Sequence, residues 1–83
     1  MATNDGVPLA HLKAGESGVV LRLGGGSRFV GRMAALGFTP GTTLNVARNS
    51  GRGPIIVNLL DTQIALGRGQ AYRVYVRQRR DHE

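Results

Sequence analysis

Apolar residues along this chain fall in short runs separated by glycine, and the spacing within the runs switches between two periods. From Ser17 to Leu23, Val19, Leu21 and Leu23 share one face and Val20 and Arg22 the other, the alternation of a half-buried strand. Gly24, Gly25 and Gly26 end it. Ser27 then stands where an N-cap is wanted, ahead of Phe29, Val30, Met33, Leu36 and Gly37 at helical spacing, and Gly37 and Pro40 close that helix. Pro40 and Gly41 suit the two central positions of a type II turn, which leads into a second strand over Thr43 to Arg48 with Leu44 and Val46 on one face. Asn49 to Pro54 reads as a turn. The nearly unbroken apolar run Ile55 to Leu60 predicts a strand covered on both faces, after which Asp61 and Thr62 reverse the chain into Gln63 to Leu66 as a hairpin. Gly67 to Ala71 connects to a last strand, where Tyr72, Val74 and Val76 alternate with Arg73, Tyr75 and Arg77.

Five strands with one short helix after the first long strand are too few for a sandwich, and the connections are too short for parallel crossovers. The economical fold is mainly β, a small SH3-like antiparallel barrel whose closure removes exposed strand edges. With 83 residues there is room for one domain over 1–83, its core spanning 9–76. The polar ends, 1–6 and 78–83, are expected to be loosely tied.

Composition narrows the chemistry. The core must come from Val, Leu, Ile and Ala, because the chain has two Tyr, two Phe and no Trp. Zero Cys excludes a disulfide framework and a thiolate metal site, and with no signal-like start or long apolar stretch the expectation is a soluble, cytoplasmic protein. The net charge of +6 rests on eleven Lys and Arg, ten of them Arg. Guanidinium groups suit phosphate and carboxylate, so nucleic acid, an anionic membrane face and an acidic protein are all compatible partners.

The order of landmarks is more specific than any one of them. Leu9, Leu12 and Gly15 precede the Gly18 strand, followed by Arg32-Met33-Ala34-Ala35-Leu36-Gly37-Phe38-Thr39-Pro40-Gly41, then Gly53-Pro54-Ile55-Ile56-Val57, Ile64-Ala65-Leu66, Ala71 and Val74. This series, spanning Leu9 to Val76, resembles the FeoA family of ferrous-iron-transport accessory proteins. The resemblance implies a cytoplasmic partner of FeoB, the membrane GTPase that carries ferrous iron, and a fold shared with the C-terminal domain of iron-dependent repressors. It implies no enzyme. The chain departs from the family's pattern at Gly67 and Gln70, where members often carry Arg and Glu.

Other chemistry is thinly supported. Gly24-Gly25-Gly26-Ser27 before a helix could cradle an anion, but no Walker lysine follows, and the loop reads as a strand-to-helix turn needing positive φ. Metal ligands are limited to His11, His82, Asp5, Glu16, Asp61, Asp81 and Glu83. The tail Asp81-His82-Glu83 reads as a solvated end; a ferrous-iron site would need several His and carboxylate ligands converging, and weak binding where ligands of two chains meet stays open. Ser17, Ser27 and Ser50 have no evident base, so no catalytic residue, cofactor or metal site is expected. The residues expected to meet a partner are Arg28, Arg32, Phe38 and Arg52, on the helix face and neighbouring loops, with a denser cluster at Arg77, Arg79 and Arg80. The rival reading is a small basic nucleic-acid-binding barrel, with Tyr72 and Tyr75 as its stacking pair. A repressor fragment ranks below both, because no DNA-reading helices precede the barrel. An open sheet edge, or the segment around Ile55, could pair two copies.

Overall fold

The computed structural model describes residues 6–79. Six antiparallel strands form one sheet: β1 (Val7–Pro8), β2 (Ser17–Leu23), β3 (Thr43–Arg48), β4 (Ile55–Leu59), β5 (Thr62–Leu66) and β6 (Val74–Arg79), in the spatial order β1-β6-β2-β3-β4-β5. A single 3-10 turn, Leu9–His11, follows β1; α1 (Ser27–Ala35) links β2 to β3, and the one-turn α2 (Arg68–Ala71) links β5 to β6. The sheet curls into a barrel-like shape that stays open between β1 and β5. β1 and its pairing with β6, Val7 with Val76 and Pro8 with Tyr75, add a sixth strand to the five expected.

Alternation places the core as the sequence predicts at Leu44 and Val46 on β3 and at Val74 and Val76 on β6, all buried, but Tyr72, expected on the same face as the two valines, closes α2 ahead of the strand and is half exposed. On β2 the face is the other one. Val20 is buried with Gly18, while Val19, Leu21 and Leu23 are half-covered. A bulge against β6 between Val20 and Arg22 shifts the pleat at Leu21, so an unbroken period of two does not describe this strand. β4 buries Ile55, Val57 and Leu59 but leaves Ile56 and Asn58 half-exposed, so it is covered on one face rather than both. Leu60 leaves the strand altogether, and Leu60 with Asp61, not Asp61 with Thr62, forms the hairpin turn.

Gly26, not Ser27, occupies the N-cap of α1, and no side chain caps that end. The other end is closed by paired reversed hydrogen bonds, the Gly37 N–H donating to the Ala34 carbonyl (3.0 Å) and the Phe38 N–H to the Met33 carbonyl (3.0 Å). Gly37 takes φ +111° to allow it. This Schellman closure folds Phe38 back onto Met33, and both are fully buried. At Pro40-Gly41 the expected turn forms, with Gly41 at φ +94° and the Thr42 N–H donating to the Thr39 carbonyl (3.0 Å).

The ends are tied in further than their polarity indicates. Gly6 packs so closely under Leu21 and Val76 that a Cβ there would fall 2.7 Å from Leu21 Cδ1, and Gln78 and Arg79 pair with Gly18 and Ser17. The rest of the two end segments, 1–5 and 80–83, lies outside the described residues.

Candidate interaction surfaces

Between Gly6 and Arg79 ten cations face two acids, Glu16 and Asp61, so most of the positive charge has no carboxylate to pair with. Three arginines are nevertheless anchored. The Arg22 guanidinium lies 4.1 Å from the centre of the Tyr75 ring, and that of Arg73 lies 5.1 Å from the centre of the Phe29 ring. Contacts of this kind at exposed positions contribute about 0.5–1 kcal/mol. Arg68 makes a stronger fixture, donating through Nη1 to the Gly53 carbonyl (3.0 Å) and through Nη2 to Asn49 Oδ1 (2.9 Å).

Asn49 is the centre of that fixture. Its Nδ2 donates to the carbonyls of Ala10 (3.1 Å) and Leu12 (2.7 Å), while Oδ1 also accepts from the Gly51 N–H (3.2 Å). One half-buried amide thereby ties the 3-10 turn, the β3–β4 loop and α2 together. The chain's departure at Gln70 serves the same region, its Oε1 accepting from the Gly67 N–H (3.0 Å) at the start of α2.

The four residues expected to meet a partner do not form one surface. Arg28 and Arg32 are exposed one turn apart on α1, and Leu36, 45% exposed, continues their row to the end of the helix. Phe38 is 0% exposed; it belongs to the core and has no surface to offer, so its expected role is withdrawn. Arg52 is exposed in the β3–β4 loop, at the opposite end of the five-residue β4 from the β4–β5 turn, about 16 Å away along the strand.

That turn carries the feature the sequence pattern missed. Leu60 (φ +52°) and Asp61 (φ +64°) are the two non-glycine residues with positive φ among the described residues, and Leu60 is 66% exposed. Its side chain lies across Gly37, where an added Cβ would fall 2.9 Å from Leu60 Cδ1. Leu60 thus stands beside the end of α1. Behind it, Thr43, Asn45, Asn58, Thr62 and Gln63 line an open hollow of about 520 Å³. The hollow's floor is a row of amides across three strands, Asn58 Nδ2 donating to Asn45 Oδ1 (2.8 Å) and Gln63 Nε2 to Asn58 Oδ1 (3.0 Å). Leu60-Asp61 contains no glycine, so nothing in the residue order marks a turn with positive φ at this place.

The remaining candidates are structural. The Gly24–Gly26 loop is a turn, with Gly24 N–H donating to the Arg73 carbonyl (2.7 Å) and Gly25 at φ +110° against the Phe29 ring. The His11 ring meets the Tyr72 ring edge-on at 5.8 Å. Among the described residues no three His, Cys, Asp or Glu side chains come together, and Asp5, Arg80, Asp81, His82 and Glu83 lie outside them. No helix of the described residues is long and apolar enough to cross a membrane.

The FeoA domain family model matches residues 7–78. An Fe(2+) transport protein A from Methanocaldococcus jannaschii is 36% identical over 69 residues, 83% of each chain. A crystal structure of an iron uptake regulatory protein, FeoA, superposes with a TM-score of 0.83 at 36% identity, covering 88% of this chain and 97% of that one. The FeoA of Stenotrophomonas maltophilia, described as a procaryotic SH3 domain protein and solved in complex with zinc, gives a TM-score of 0.74 at 28% identity, over 87% and 94% of the two chains. The open barrel described above is therefore an SH3-like fold, and the chain belongs to the FeoA family of ferrous-iron-transport proteins.

Proposed function

We propose that this protein is a non-enzymatic, cytoplasmic accessory protein of ferrous-iron transport, and that it acts by binding the FeoB membrane GTPase. The family match over residues 7–78 carries this reading. The surface is consistent with it: Arg28, Arg32 and Arg52 project from a positively charged exterior suited to an acidic protein face. Because the attraction is partly ionic, affinity for the FeoB cytosolic domain should fall as salt rises without vanishing. Calorimetric titration of the full chain into that domain, and into the whole transporter in membranes, tests this directly. Absence of association at every salt concentration contradicts it.

The nucleic-acid reading has less to stand on. Of the two tyrosines that would stack on bases, Tyr75 is covered by Arg22, while Tyr72, half exposed, lies ahead of the strand and edge-on to His11, so they do not form a stacking pair on one strand face. Affinity for RNA or DNA that declines linearly in log–log form with salt would revive it.

A further inference from the structure

We propose that Leu60 and Leu36, flanked by Arg32 and Arg28, form the docking surface for an acidic segment of a protein partner that also carries apolar side chains. The proposal rests on the reading above, in that the partner is the cytosolic part of FeoB.

Strain and exposure at one residue carry the inference. A two-residue hairpin turn with positive φ at both positions is made most easily by Asn-Gly, because an L side chain in the left-handed region sets its Cβ against the following carbonyl. Leu60 takes φ +52° and still leaves two-thirds of its side chain in water. Folding gains little from this placement. A leucine that is both strained and solvated is explained by a use for its side chain outside the fold.

The surroundings define that use. Leu60 rests on Gly37, the residue after Leu36, so the exposed leucine of the β4–β5 turn stands beside the end of the helix that carries the exposed Leu36. Arg32 and Arg28 continue one side of the helix at intervals of four residues. Two apolar anchors beside two cations complement a segment of opposite character, apolar residues next to Asp or Glu. The polar hollow behind Leu60, with its row of amides, accepts side-chain or backbone hydrogen bonds from such a segment. An acyl layer cannot hydrogen-bond those amides, which favours a protein segment over a membrane as the occupant.

The test pairs affinity with stability. The full chain and its Leu60→Asn, Leu36→Ser, Arg32→Glu and Lys13→Glu variants are titrated against the FeoB cytosolic domain, and their thermal unfolding is followed. Leu60→Asn should weaken binding about tenfold or more while raising Tm by about 4 °C, because asparagine tolerates the left-handed turn. Leu36→Ser should weaken binding as well. Arg32→Glu should cost more affinity than Lys13→Glu, which makes the same charge change away from the surface. Unchanged affinity for Leu60→Asn, or equal losses for the two charge reversals, overturns the docking surface while leaving FeoB as the partner. If the wild-type chain fails to bind at all, the FeoB reading falls and this assignment with it. Wild-type binding to phosphatidylglycerol vesicles that is lost in Leu60→Asn overturns the protein occupant in favour of a membrane.

Discussion

The two turns that flank β4 solve the same geometric problem with opposite residues. In the β3–β4 loop the left-handed positions are Gly51 and Gly53; Ser50 braces the loop internally through the Arg52 carbonyl, and Asn49 and Arg68 tie it to its surroundings. In the β4–β5 turn the left-handed positions are Leu60 and Asp61, and the one side-chain hydrogen bond there is a long one from Thr62 Oγ1 to the Leu60 carbonyl (3.4 Å). The first loop is arranged for folding. The second carries backbone strain and bare apolar surface, features with a functional rather than a structural explanation.

Substitutions can break that contrast, beginning where the fold depends on it most. Asn49→Ala removes two donors from the Ala10 and Leu12 carbonyls and the acceptor for Arg68 and Gly51, and should destabilise by about 2–3 kcal/mol in urea unfolding. Gly37→Ala should cost about 1–3 kcal/mol, since the new methyl group would sit at φ +111° and within 3.0 Å of Leu59 and Leu60. Gly51→Ala adds a Cβ that meets no neighbouring atom, so its loss of about 1 kcal/mol would report left-handed strain alone. The matching exchange, Leu60→Asn with Asp61→Gly, should move the other way and stabilise by about 1 kcal/mol. Equal signs for these last two changes would mean that the turns do not differ as argued.

Much of this architecture was readable from residue order, and the misreadings have local causes. Alternation at Leu44 and Val46 on β3 and at Val74 and Val76 on β6, and helical spacing at Phe29, Val30 and Met33, identified those elements. β2 misled because a bulge at Leu21 exchanges its faces, and β1 escaped because two residues, one of them Pro8, carry no period. The Gly67–Ala71 connection contains a single helical turn too short to announce itself. Phe38 belongs to the core rather than the surface. The signal was present, since glycine followed by an apolar residue after Met33 is the sequence form of the helix closure that buries it. Of the candidate surface, Arg28 and Arg32 were legible from helix spacing. Leu60 was not, because its exposure depends on where a hairpin turns, and one residue of slip moves it between core and solvent.

The most direct measurement of where this protein meets its partner is a titration of the isotope-labelled chain with the FeoB cytosolic domain, followed by amide NMR. Perturbations concentrated on residues 28–37 and 59–63, with Asn49 to Pro54 nearly unmoved, are the predicted result. The opposite distribution, with the Asn49–Pro54 loop shifting while Leu36 and Leu60 stay still, would contradict the account.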